Sequence, residues 1–328
     1  IWEDYRHGRP LHDTHRLSLL EERLYFPDGQ IKDEVYVHGS FLQSRMHRAG
    51  VTCSNCHDPH SLAPRAPGDA LCAQCHPPTR YETPAHHHHA AGGEGSACVD
   101  CHMPQRPYMV NDWRADHSMR IPRPDLSAAL GSPNACNGCH KDKTADWAAQ
   151  AVAGWFPDSP HRGEHFGHAL HAARVGDPAA ADLLLALAAD PEQPGIARAT
   201  ALDHLSSLAA TDQLPVIRGL LDDDDALVRR EAVGWLEQAD LRTRVDLAWS
   251  PYPALSLPPL GPALALALLG PSLPLLLHRR RARPELASPT RAGAEARPRA
   301  RLRDLDLGAE PQGGAASSGR SQRAAGLH

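Results

Sequence analysis

Apolar residues are arranged differently in three stretches of this 328-residue chain. Over residues 1–158 apolar runs are short and broken by Pro, Gly, His and Asp. Residues 21–25 and 34–46 read as short helices there, with Gly29, Gly39 and Gly50 as punctuation. A stronger helix is expected over residues 142–156, where Trp147, Ala151, Val152 and Trp155 share one face. Pro157 stops it. From about His165 the period is helical throughout and Ala, Leu, Asp and Arg dominate. An internal repeat emerges there. Ile-Ala-Arg-Ala-Thr-Ala-Leu-x-x-Leu from Ile196 lines up with Leu-Val-Arg-Arg-Glu-Ala-Val-x-x-Leu from Leu227, an offset of 31 residues. Residues 183–187 and 214–220 match at nearly the same offset.

Paired helices of this period read as HEAT-like α-solenoid repeats, whose faces need a neighbour to be buried and whose usual task is to bind protein. A small helical bundle is the plainer reading. Such repeats are expected to be separable from the first 158 residues and to carry no catalytic group. The pattern stops after about Leu247. From Ala254 onward the chain has no Lys, Asn, Val, Ile, Met, Phe, Tyr, Trp or Cys. Residues 254–277 are apolar ahead of Arg279-Arg280-Arg281 and imitate a membrane span. Pro258, Pro259, Pro262, Pro271 and Pro274 break that span. A change of translation frame explains this composition best, ahead of a disordered tail and of a membrane anchor.

The cysteines change the picture. All eight fall in four Cys-x-x-Cys-His motifs: Cys53 and Cys56 with His57, Cys72 and Cys75 with His76, Cys98 and Cys101 with His102, Cys136 and Cys139 with His140. This is the attachment signature of c-type haem. Two thioethers hold the porphyrin and the adjacent His takes the iron from one side. Disulfides or a four-thiolate zinc site would use the thiols, but neither explains a His after every second Cys. The sequence thus calls for four covalent haems c. Across the whole chain only 5% of residues are aromatic and 30 are proline, a poor recipe for an ordinary apolar core in the motif region, so the first 158 residues need those haems as their core. Haem of this kind implies a periplasmic or otherwise exported chain. The chain opens on Ile1 with neither Met nor a charged-then-apolar leader, which fits a removed leader or an interior piece. A net charge of −5 argues against a nucleic-acid partner.

Several phrases beyond the motifs carry a resemblance: Gly39-Ser-Phe-Leu-Gln-Ser44, the run from Gly50 through His60, Cys98 through Pro104, Asp116 through Ser127 and Pro133 through His140. Together they resemble multihaem cytochromes c of the nitrite-reductase-like superfamily that carry C-terminal HEAT or tetratricopeptide repeats. The resemblance covers about the first 155 residues and, loosely, the repeats. It implies a preceding region with more haem motifs.

An iron with one His can bind small molecules, whereas one with two passes electrons. Eleven spare histidines in the haem block favour the second arrangement. His60, behind Pro59, cannot reach the far side of the haem held by His57 and is expected to serve a neighbouring haem. His117 has Asp116 beside it to orient the ring. Within the run 86–89, which also reads as a metal-binding tract, His86 and His89 are the expected ligands and the other two face solvent. His12 and His15 are weaker candidates, and Met103 and Met119 are read as packing.

The expected fold is mainly α, with a haem block of short helices and loops around stacked haems (1–158), HEAT-like helices (159–249) and a tail (250–328). The expected function is electron transfer through closely spaced bis-His haems, with a redox partner docking on a haem edge or on the repeats. The alternative is a fragment of a multihaem reductase acting on nitrite, hydroxylamine or a related oxyanion. That would need an open iron with acid–base groups beside it, and the Cys-x-x-Cys-Lys signature of nitrite reductase is absent from the sequence.

Overall fold

A chain with few β-branched runs has little with which to build sheets, and its regular structure is mainly helical. The computed structural model describes residues 11, 14–108, 110–208 and 213–249, with side chains as far as residue 239. His12 and the tail from residue 250 lie outside the described residues. So do the frame-change, disorder and anchor readings. No helix among the described residues is long and apolar enough to cross a membrane.

The first half is built of one-turn pieces. In chain order these are α1 (His38–Phe41), α2 (Arg45–Arg48), α3 (Cys53–Cys56), a 3₁₀ segment (Gly68–Gln74), α4 (Pro78–Tyr81), α5 (Pro84–His87) and α6 (Cys98–His102). A two-stranded antiparallel hairpin follows, β1 (Gln105–Tyr108) with β2 (Asp112–Ala115), in register Gln105 to Ala115. Then come α7 (Pro124–Leu130), α8 (Cys136–Cys139) and α9 (Ala145–Trp155). The hairpin was not expected; its Pro107 sits on a strand with one neighbour, where a missing N–H is tolerated. Residues 21–25 form a turn rather than a helix and close on a bridge between Tyr25 and Ile31. The helix expected over residues 34–46 breaks into α1 and α2, because Ser44 turns extended and caps α2 by accepting the N–H of His47.

The second half has longer helices: α10 (Phe166–Val175), α11 (Ala180–Ala189), α12 (Gly195–Leu208), α13 (Leu214–Gly219) and α14 (Ala226–Trp249). Both copies of the 31-residue offset fall on helix pairs, α11 with α12 and α13 with α14. Arg198 and Arg229, equivalent in that offset, meet at one turn. Arg198 makes a two-pronged contact with the Asp223 carboxylate, 3.1 Å from Nη1 to Oδ1. Arg229 donates to the Asp223 and Asp224 carbonyls.

The main core joins the two halves. Leu19, Leu20, Tyr25, Ile31, Leu42 and Tyr108 are buried in one cluster with residues of α10, α11, α12, α13 and α14. Polar clips reinforce it. Arg174 of α10 donates to the carbonyls of Leu20 (2.7 Å) and Tyr25 (3.0 Å). Thr200 of α12 accepts the N–H of Leu20 at 3.0 Å. The repeats and the first half therefore share buried surface, against the expectation of two separate cores. Their apolar face is covered by the segment that leads into the first motif.

Candidate haem site

Residues three apart on a helical turn share a face, so a one-turn helix aims both sulfurs of a motif the same way. Three motifs form such turns as α3, α6 and α8, and the second lies on the 3₁₀ segment. Each turn has its own fastening. Asn55 accepts the N–H of Thr52 at 2.8 Å. Asn134 accepts the N–H of Asn137 at 3.0 Å. Asp69, in the second motif's turn, accepts the N–H of Cys98 at 3.0 Å and so ties the second motif to the third.

The motifs neighbour one another in chain order. Cys56 lies in the field of Cys72 and Cys75. Cys72 and Cys98 are hydrogen bonded, and Cys101 lies in the field of Cys136 and Cys139. Burial, then Cys72 and Asp69, pushes the Cys98 thiol up to about 12. Burial, then Cys136, pushes Cys101 up to about 11.

Three proximal imidazoles have a second imidazole facing them. His57 and His117 have ring centroids 6.3 Å apart with planes 31° from parallel. His102 and His86 are 6.1 Å apart at 11°, and His140 and His89 are 6.2 Å apart at 32°. Two rings bound to one metal through nitrogen at about 2 Å have centroids about 6 Å apart. The pairs therefore fit an iron between them.

The outward nitrogens are also committed. The Nδ1–H groups of His57 and His102 donate to the carbonyls of Leu62 and Arg120, each at 2.8 Å. His117 donates to Ala115 at 2.9 Å and His89 to His87 at 2.6 Å. A carbonyl is an acceptor only, so the proton sits on Nδ1 and Nε2 is left for the metal. Among the described residues, no three His, Cys, Asp or Glu side chains gather as a bare metal-ion site.

A buried ion network holds the Arg120 hook. Arg120 contacts Asp116 at 2.8 Å and Asp28 at 3.5 Å, and Gln30 ties Asp28 to the carbonyl of Pro133. Burial works against the Arg120 charge, but Asp116 and Asp28 outweigh it, so its affinity for the proton is raised. Asp116 thus anchors Arg120 rather than the His117 ring, whose partner is a backbone carbonyl.

Other expected residues are placed differently. His60 is exposed in a turn where Asp58 accepts its backbone N–H at 3.1 Å, and it is not a member of the three ring pairs. His76 has Tyr81 edge-on at 5.5 Å, and Tyr81 is also edge-on to His86 at 5.2 Å. His88, expected to face solvent, is instead stacked on Trp155 at 4.2 Å with its Nε2 buried. Trp147 lies 5.1 Å from His140, so α9 packs beside the fourth motif. Tyr81 and the carbonyl hooks were missed. A carbonyl leaves no mark in a sequence, and a lone Tyr after a motif has a plain packing reading.

A family model described as the doubled CXXCH motif matches residues 47–81, which hold the first two motifs. No curated protein matches the chain. Among solved structures it is similar to the outer cell wall cytochrome OcwA, at 16% identity and a TM-score of 0.36, over 71% of this chain and 57% of that one. The chain thus spans little more than half the length of that cytochrome. With the matched doublet and two further copies of the motif, the chain carries the attachment chemistry of a multihaem c-type cytochrome.

Proposed function

We propose that the chain passes electrons through haems closed on both sides by imidazole, with pairs His57/His117, His102/His86 and His140/His89. The three ring separations of 6.1 to 6.3 Å carry this reading. Bound haem would supply the redox chemistry. The chain's own residues hold the ring, orient it and keep small molecules off it. Four haems, at Cys53/Cys56, Cys72/Cys75, Cys98/Cys101 and Cys136/Cys139, are proposed, with His76 the proximal ligand of the second. Neighbouring motifs in contact support short transfer distances. The helices α10–α14 are read as HEAT-like repeats that offer a redox partner a docking face, and the chain is read as exported.

Electron paramagnetic resonance of the oxidised, haem-loaded protein tests the reading. Low-spin ferric signals from at least three haems are expected, and carbon monoxide should leave those three unshifted after reduction. A spectrum dominated by high-spin iron would overturn it.

A further inference from the structure

His86 and His89 lie three residues apart, a spacing that on a continuous helix places side chains on one side. Here they face different partners, His102 and His140, so the chain must turn between them. It turns at His88, which ends α5 in the left-handed region at φ 56°, ψ 26°. Residues with a Cβ resist that conformation, so the surroundings must hold it. They do so through the ring. His88 lies flat on Trp155, 4.2 Å away at 8°, and meets Phe156 edge-on at 5.4 Å and 82°. Its Nε2 is buried without a hydrogen-bond partner, so stacking and not polarity fixes the ring. Phe156 also touches His86 at 6.3 Å. His89 depends on the same turn, since its Nδ1–H and backbone N–H both bond to His87, to the carbonyl and the ring respectively.

We propose that His88, stacked on Trp155, is a positioning residue shared by the distal ligands of two neighbouring haems, those at Cys98/Cys101 and Cys136/Cys139. The proposal rests on the assignment of His86 and His89 as ligands. Helix α9 then acts at both ends of the site, with Trp147 against the proximal His140 and Trp155 against the turn that aims the two distal rings. A helix that merely covered a haem edge would touch one haem.

The haem-loaded full chain tests this with His88→Asn, which tolerates the left-handed turn but removes the ring, and with Trp155→Ala and Trp155→Phe. Haem number is counted by mass and low-spin ferric signals by electron paramagnetic resonance. The expected result is an unchanged haem number and a joint shift or partial loss of two low-spin signals in His88→Asn and Trp155→Ala, with Trp155→Phe close to the parent. If Trp155→Ala fails to fold, His88→Asn still decides. Low-spin signals in the parent that stay unchanged in His88→Asn and Trp155→Ala, or a change in one signal alone, would overturn the shared role while leaving the ligand assignment intact. High-spin iron at both sites in the parent would remove the ligand assignment itself, and the proposal with it.

Discussion

At the scale of single residues, backbone strain gathers where imidazoles are aimed. Leu62, His88 and Met119 are three of the four described non-glycine residues with positive φ. The Leu62 carbonyl accepts the Nδ1–H of His57, Met119 precedes the carbonyl that accepts the Nδ1–H of His102, and His88 separates the two rings that face His102 and His140. Each such residue costs about 1–2 kcal/mol, a cost the surrounding packing must offset. Gly95 shows the same constraint from the other side. At its φ of 80° a side chain is strained wherever it sits, and at Gly95 a Cβ would also lie 2.8 Å from His89 Cδ2. Gly95→Ala should therefore displace the His89 ring and turn one haem high-spin, read by electron paramagnetic resonance; an unaltered spectrum would separate Gly95 from that ligand. His165 carries a pH effect. Burial first, then Arg120 and Arg123, lowers its pKa to about 3, while its Nδ1 caps α10 by accepting the N–H of Gly167 at 3.1 Å. The unfolded chain therefore binds a proton that the folded one refuses. The stability held above about pH 6.5 is lost progressively as pH falls toward 3. His165→Asn keeps a cap without titrating, so its unfolding midpoint should fall less between pH 6.5 and 4.5 than the parent's in denaturant titrations. Equal slopes would assign the acid sensitivity elsewhere.

At the scale of elements, the helix pairs were readable because their apolar period is long and regular, and the repeat showed in Arg198 and Arg229 before any packing was known. Their shared purpose was not readable. The Arg198 side chain is 6% exposed and that of Asp223 12%, so removing one partner leaves a nearly buried charge. Arg198→Ala should cost about 3 kcal/mol or more, seen as a lower midpoint in thermal unfolding followed by circular dichroism. Burial raises the Asp223 pKa, but the Arg198 hydrogen bonds and the N–H of Asp225 outweigh it, and the net shift is downward. The pair's contribution is therefore complete above the ordinary carboxyl range and is lost as pH falls through the lowered value. A variant whose midpoint matches the parent's at neutral pH would show the pair to be idle. Helix α9 was legible for the opposite reason: a Trp-rich face ending at Pro157 has few other uses. The hairpin was missed because four-residue strands with a proline give too short an alternation to stand out.

At the scale of the whole molecule, one core crosses the boundary that composition marks near residue 158. Leu19, Leu20 and Tyr25 are 4%, 0% and 1% exposed, and α10–α14 cover them. Deleting residues 159–249 should expose this face. The haem-bearing remainder should then lose its cooperative thermal transition or its solubility, measured by absorbance melting of the loaded protein. An unchanged transition would mean that haem and local turns suffice. Mass spectrometry of the matured chain is expected to show four haem additions, and a count of two or fewer would sink the four-haem proposal.

What the sequence by itself determined is the chemistry that is local in the chain. Two thiols and an imidazole within five residues are a complete attachment unit, so spacing alone names the cofactor and the proximal ligand proposed for it. Helical period and an internal offset likewise act over a few turns. What only the tertiary structure decided is which distant ring faces which. His117 comes 60 positions after His57, and nothing in the intervening sequence says that they meet. The rings of His86 and His89 were candidates by abundance, but their separate partners depend on a left-handed turn at His88 and on a tryptophan 67 positions further along. Ring pairing is long-range geometry, fixed by packing and by carbonyls that every residue possesses, and so leaves no residue type for a sequence to display.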